Sequence, residues 1–219
     1  MTPCLLLIDK PASMTSHDVV NRVRRATGER RVGHAGTLDP FATGLLIVAV
    51  GREKTKTLGQ YLGMDKTYEA TLILGATSDT FDKDGVIVQA TEQINEVDRE
   101  AIESVLSQFR GGYDQLAPLY SAKKLAGKKL YELARKGSAT EDMRPMKHVD
   151  IPRIDILDFA WPRLKLSVDC SSGTYIRSLA DDIGRALGTG AYLEELRRTR
   201  IGDFSVNTAT TLDNLSASC

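Results

Sequence analysis

The segment Val32-Gly33-His34-Ala35-Gly36-Thr37-Leu38-Asp39-Pro40-Phe41-Ala42-Thr43-Gly44 puts a carboxylate, an imidazole, a proline and three glycines in one short stretch. A carboxylate presented on a constrained loop can act as a nucleophile or as a general base. Gly33, Gly36 and Gly44 permit positive φ or close backbone approach, and His34 offers a hydrogen-bonding aromatic ring nearby. Asp-Pro alone is equally a helix N-cap with a first-turn proline, or the start of a turn. A capping turn requires neither the glycines nor the histidine, so Asp39 is the candidate reactive group.

Partners for a carboxylate lie far along the chain. Tyr175 and Arg177 follow a Gly-Thr turn. A guanidinium there would keep a facing carboxylate ionised, lowering its pKa by roughly 1–3 units, and would orient it through a bidentate fork. An ordinary salt bridge at a helix start explains Arg177 equally. Tyr68 reads either as core or as a ring that stacks on a base. Lys123, Lys124, Lys128, Lys129, Arg135 and Lys136, interleaved with Tyr120 and Tyr131, fit a solvated surface or a nucleic-acid track. The run Arg197-Arg198-Thr199-Arg200 reads the same way.

The 219 residues suit one large domain or two small ones, and 29 basic residues balance 29 acidic ones. The balance is local. Residues 1–60 carry nine Lys/Arg against five Asp/Glu, 61–110 carry four against ten, and 120–147 carry eight against three. Such segregation allows a basic face on a neutral molecule. No apolar stretch is long enough to span a bilayer, and the apolar start at Leu5 lacks a preceding basic region, so it reads as a strand. Cys4, Cys170 and Cys219 have no metal-ligand spacing, and His17, His34 and His148 form no ligand pair. We expect a reducing, cytoplasmic setting with neither a disulfide framework nor a metal site. Walker, dinucleotide-fingerprint, nucleophile-elbow and zincin motifs are missing.

The elements that must position these groups follow from periodicity. Strands are expected at 5–8, 45–50, 66–74, 86–89, 154–159 and 164–170. Helices are expected at 16–27, capped by Ser16 and stopped by Gly28, at 95–109 from Asn95, at 128–136 and at 175–187. A short helix within 51–62 and another bearing Leu193, Leu196 and Arg197 complete the reading. Adjacent strands without βαβ alternation favour an α+β fold with a mixed, mostly antiparallel central sheet flanked by helices.

These residues also carry a family resemblance. Residues 33–44, Lys10-Pro11 with Thr15-Ser16, Tyr120-Ser121-Ala122 with Lys124 and Gly127, Tyr131 with Ala134-Arg135, Gly173-Thr174-Tyr175-Ile176-Arg177 and Leu196-Arg197-Arg198 occur in one order. That series, from about residue 5 to about 210, resembles the TruB family of tRNA pseudouridine synthases. Ser13 stands where the family usually has Gly, Ala35 where Thr is common and Ala117 where a Pro-Pro pair is usual.

The resemblance implies a pseudouridine synthase fold over residues 1–219 as a single catalytic domain, without the family's usual C-terminal RNA-binding domain. It implies isomerisation of the T-loop uridine (uridine-55) of tRNA, with Asp39 catalytic and no metal or organic cofactor. Tyr68 would stack on the flipped uracil, Arg177 would pair with Asp39, and Tyr175 and Leu196 would wall the pocket. His34 would insert into the T-loop, Lys10 and Gly36 would frame the site, and Lys124, Lys128 and Lys129 would follow the RNA. The expected partner is the tRNA T-arm and the expected state a monomer. A non-catalytic tRNA-folding helper, or an RNA-binding subunit directed by a guide RNA, is the alternative; the intact Asp39, Tyr68 and Arg177 set argues against it.

Overall fold

The computed structural model describes residues 3–90, 96–121, 124, 125, 128–134, 138 and 140–215. The chain opens with β1 (Cys4–Lys10), α1 (Ser16–Thr27), β2 (Val32–Ala35), β3 (Thr43–Val50), α2 (Arg52–Thr55), α3 (Leu58–Leu62) and β4 (Lys66–Leu74). There follow β5 (Ala76–Ser78), β6 (Ile87–Gln89), α4 (Arg99–Ser107), β7 (Tyr113–Leu116), β8 (Lys124–Leu125), β9 (Lys128–Lys129) and α5 (Leu130–Ala134). It closes with β10 (Met146–Val149), β11 (Arg153–Ala160), β12 (Arg163–Cys170), α6 (Ile176–Ala186), β13 (Ala191–Ile201) and β14 (Phe204–Ser205). Two compact units form, residues 1–69 with 195–219 and residues 70–194. Both β4 and β13 contribute residues to each unit.

In the first unit β3 is the organising strand. It pairs antiparallel with β1 along its whole length, Lys10 lying opposite Gly44. Its other edge takes β2 antiparallel at residues 47–50 and β13 parallel at Thr43 and Gly44. Residues 44–50 are all buried, which is why the strand reads as an unbroken apolar run. Alternate side chains serve different clusters: Leu46, Val48 and Val50 meet Val19, Val20 and Val23 of α1, while Leu45 and Ile47 meet Ala35, Tyr61 and Ile201. Helix α1 starts with a capping box between Thr15 and Asp18 and stops at Gly28, whose φ of 68° is left-handed. The cap is therefore Thr15, one residue before the expected Ser16.

In the second unit β11 and β12 form an antiparallel pair with an irregularity between Ile156 and Asp158. Leu164, Leu166, Val168 and Cys170 of β12 are buried on alternate positions, as the sequence pattern predicts. Strands β7 and β10 pair antiparallel, as do β5 with β6 and β8 with β9. Helix α4 begins at an Asp98 cap and buries Ile102, Val105 and Leu106; the expected cap, Asn95, lies outside the described residues. Helix α6 starts at Tyr175 without a side-chain cap.

The ladders of described register are antiparallel apart from β3–β13, so the α+β, mixed and mostly antiparallel expectation holds. Four local expectations do not. The spacing of Leu193, Leu196 and Arg197 predicts a helix, yet residues 191–201 are the strand β13, with Leu196 and Arg198 buried and Arg197 and Glu195 more exposed. Period two wins over a coincidental helical match. Residues 51–62 form two short helices rather than one. The described part of the expected helix at 128–136 is a two-residue strand followed by α5. Cys4 is disulfide-bonded, although the cysteine spacing predicts a reducing setting without a disulfide framework, whereas Cys170 is free and buried. Among the described residues no helix is long and apolar enough to cross a membrane.

Candidate active site

The Asp39 loop joins β2 to β3, and its backbone is held from three other elements. Ser16, in the first turn of α1, accepts from the Leu38 N–H at 2.9 Å and donates to the Leu38 carbonyl at 3.2 Å. Arg198, 1% exposed on β13, donates Nη2–H to the Gly36 carbonyl at 2.9 Å and Nε–H to the Leu45 carbonyl at 2.8 Å. Lys10, at the end of β1, donates to the Pro40 carbonyl at 3.2 Å. Inside the loop the Ala42 N–H donates to the Asp39 carbonyl at 3.1 Å. Asp39 thus stands half-buried on a backbone fixed at both neighbours. This is a turn held by long-range partners, not a helix cap, and it is the arrangement a pre-set reactive carboxylate requires.

The chain reverses sharply on both sides of this carboxylate. Gly36 has φ 81° and faces Arg198, while Gly44 has φ 101° and lies against the Arg198 backbone of the parallel strand. Ser13, in the turn between β1 and α1, adopts φ 60°, a left-handed conformation that suits the glycine usual at this position in the resembling family.

Lys10 is fully buried, and its ammonium also donates to the carbonyls of Pro11 at 2.8 Å and Met14 at 2.7 Å. Burial lowers its pKa from 10.5 to about 8; Asp39 partly opposes the shift and Arg198 reinforces it. At neutral pH Lys10 therefore stays protonated. Between pH 8 and 10.5 the unfolded chain binds the proton that the folded chain has lost, so the Lys10 contribution to stability rises with pH across that window. We expect denaturant midpoints of the native chain to gain on those of Lys10→Met as pH increases from 8 to 10.5. A difference that is flat or narrows toward alkaline pH contradicts this. Lys10 also lines a cavity of about 330 Å³ with Asp9 and Arg197. There Arg197 is bidentate to Asp9 at 3.0 and 2.7 Å, so it acts as a structural cation and not as part of an RNA track.

His34 is on β2, and its Nδ1 is buried without a hydrogen-bond partner. Burial, with Arg198 and His17, lowers its pKa, so the ring is neutral at pH 7. Tyr68 is buried on β4 at 8% exposure, and Leu196 is buried on β13 with its carbonyl accepting from Thr43 Oγ1 at 3.5 Å. The first unit therefore holds Asp39, Lys10, His34, Gly36, Tyr68 and Leu196.

Tyr175 and Arg177 belong to the second unit. Arg177, 6% exposed, donates to the carbonyls of Thr80 and Tyr120, each at 3.0 Å, and its Nε lies 3.4 Å from Asp82. Asp82 accepts from Thr80 Oγ1 at 2.6 Å and from the Asp84 N–H at 3.1 Å. Lys124 and Lys129 face each other across the β8–β9 pair, with Lys128 beside Leu125; their side chains lie outside the described ones. Among the described residues no three His, Cys, Asp or Glu side chains are grouped to hold a metal.

Sequence reasoning missed Ser16 and Arg198 as holders of the loop. In the sequence Ser16 reads as a cap, and Arg198 as part of a solvated surface or a nucleic-acid track. The signal for Arg198 was its two-residue spacing from Leu196 on a strand.

Known proteins match the chain over nearly its whole length. Residues 24–176 match the family model described as TruB family pseudouridylate synthase (N terminal domain), and residues 177–219 match the tRNA pseudouridylate synthase B C-terminal domain. A tRNA pseudouridine synthase B of Azoarcus sp. (strain BH72) is 50% identical over 214 residues, covering 98% of this chain and 70% of that protein. Its counterpart in Bordetella avium (strain 197N) is 47% identical, covering 97% and 86%. Among solved structures, a chain of a Cbf5-Nop10-Gar1 complex superposes with a TM-score of 0.75 at 31% identity, over 96% of this chain. The present chain spans about half of that one, 53% of its length. By the two family models and these relatives, the chain belongs to the TruB family of tRNA pseudouridine synthases.

Proposed function

We propose that this isomerase converts the T-loop uridine (uridine-55) of tRNA to pseudouridine, with Asp39 as the catalytic group. The observation that carries the reading is the Asp39 loop itself, whose flanking carbonyls are held by Ser16, Arg198 and Lys10. The reaction breaks the N1–C1′ bond, turns the uracil and joins C5 to C1′; the C5 hydrogen leaves as a proton and N1 gains one. The change is redox-neutral, and a carboxylate suffices as nucleophile at C1′ or as base at C2′.

The other residues take the roles that the family resemblance implies. Arg177 is assigned to orient the Asp39 carboxylate, beside its own ion pair with Asp82 at 3.4 Å. Tyr68 stacks on the extruded uracil, while Tyr175 and Leu196 close the pocket so that the detached base cannot diffuse away. Extruding a base costs a few kcal/mol. The neutral His34 ring can fill the vacated stack with little loss of its own hydration. Lys124, Lys128 and Lys129 meet the phosphate backbone. The enzyme acts as a monomer in the cytoplasm on the T-arm of tRNA.

A tRNA transcript labelled with tritium at C5 of its uridines tests the reading. We expect the chain to release the label of one T-arm uridine per tRNA. Release from another uridine, or none, overturns the assignment.

A further inference from the structure

Gln115, on β7, is 2% exposed and takes no part in the chemistry above. Its carboxamide grips the backbone of Tyr175 on both sides. Oε1 accepts from the Tyr175 N–H at 2.8 Å, and Nε2 donates to the Tyr175 carbonyl at 3.0 Å. The second Nε2 hydrogen goes to the Tyr113 hydroxyl at 2.6 Å, which donates in turn to Asp182 at 2.8 Å. Each polar hydrogen in this chain of bonds has one destination. The amide orientation is enforced as well, because a flipped carboxamide would set NH₂ against the Tyr175 N–H.

The place where Gln115 acts is informative. Tyr175 is the N-cap of α6 and has no side-chain cap bond, and Gln115 accepts from its backbone N–H as the N3 Glu or Gln of a capping box otherwise does. The Tyr175 carbonyl also accepts the Leu179 N–H at 3.1 Å, the opening bond of α6. Tyr175 and Arg177 both project from this turn. From the two-sided grip we infer that Gln115 is a positioning residue for the isomerisation: it fixes the first turn of α6, and through it the Tyr175 ring and the Arg177 guanidinium. This rests on the reading that Tyr175 and Arg177 serve the Asp39 chemistry.

A positioning role predicts a loss in kcat rather than in folding or RNA affinity, since a displacement of about 1 Å at a reacting group costs roughly a hundredfold in rate. Gln115→Glu keeps the acceptor and loses the donor, and Gln115→Met keeps the volume and loses both. Ser178→Ala is the structural control. It removes the bond from Ser178 Oγ to the Leu116 carbonyl, 2.8 Å, which joins the same two elements away from Tyr175.

With C5-tritiated tRNA we expect kcat to fall about tenfold in Gln115→Glu and about a hundredfold in Gln115→Met, with KM within about twofold. Ser178→Ala is expected to lower the melting temperature while holding kcat. If Gln115→Met fails to fold, Gln115→Glu alone decides. Unchanged kcat in a folded Gln115 variant, or equal kcat losses in Gln115→Glu and Ser178→Ala, overturns the inference while native activity upholds the functional reading. A native chain without synthase activity overturns both.

Discussion

Asp39→Asn is expected to abolish pseudouridine formation, by at least about 10⁴-fold, while tRNA affinity stays within about threefold of the native chain. The substitution exchanges one oxygen for an amide nitrogen on a half-buried side chain. The loop backbone is held independently of the side chain: the Gly36, Leu38, Asp39 and Pro40 carbonyls are held by Arg198, Ser16, Ala42 and Lys10. The amide can neither attack C1′ nor take a proton from C2′, so both routes close at once. Removing a negative charge from a surface that meets a polyanion leaves binding unchanged or slightly tighter. One coupled effect follows inside the protein. Asp39 opposes the burial that lowers the Lys10 pKa, so the variant should titrate Lys10 below its native value of about 8. Quantifying pseudouridine in reacted tRNA, with filter binding alongside, checks the prediction. Product accumulating in the Asp39→Asn variant would remove Asp39 from the chemistry.

Much of this site was legible in the sequence because its signals are local. Three glycines, His34 and Asp39 crowd one segment, and backbone specialisation of that density survives without knowledge of the fold. The alternation through Tyr68, Ala70, Leu72 and Leu74 identified β4 for the same reason. The holders of the site were not legible, because a buried polar side chain looks like an exposed one until its partner is known. Arg198 sits among three other polar residues in Arg197-Arg198-Thr199-Arg200, a run that reads as a basic surface. Only the alternation with Leu196 shows that Arg198 points inward. Thr15 and Ser16 are both good caps. The tie was decidable from sequence: Asp18 stands three residues after Thr15, the spacing of a capping box. Gln115 lies sixty positions from the Tyr175 backbone that it grips. No spacing rule reaches that far.

Gly44→Ala is expected to cost at least about 4 kcal/mol, enough to unfold a domain of ordinary stability under mild denaturant. Two penalties combine. At φ 101° a side chain is strained whatever surrounds it. A Cβ there would also lie 2.3 Å from the Arg198 carbonyl oxygen and 2.8 Å from its amide nitrogen. Those atoms are backbone, in the parallel pairing of Thr43 and Gly44 with Arg197 and Arg198, so no rotamer change relieves the clash. The strands must separate, and separation pulls the Arg198 guanidinium away from the Gly36 and Leu45 carbonyls. Gly28 provides the comparison, with φ 68° and nothing within 4 Å of an added Cβ. Gly28→Ala should therefore show the conformational penalty alone, about 1 kcal/mol. Urea unfolding of both variants separates the terms. If the two costs agree within about 1 kcal/mol, close packing between β3 and β13 is not what requires glycine at position 44. A partially folded Gly44→Ala chain should lose synthase activity together with stability, unlike Asp39→Asn, because the pairing that it breaks also frames the Asp39 loop.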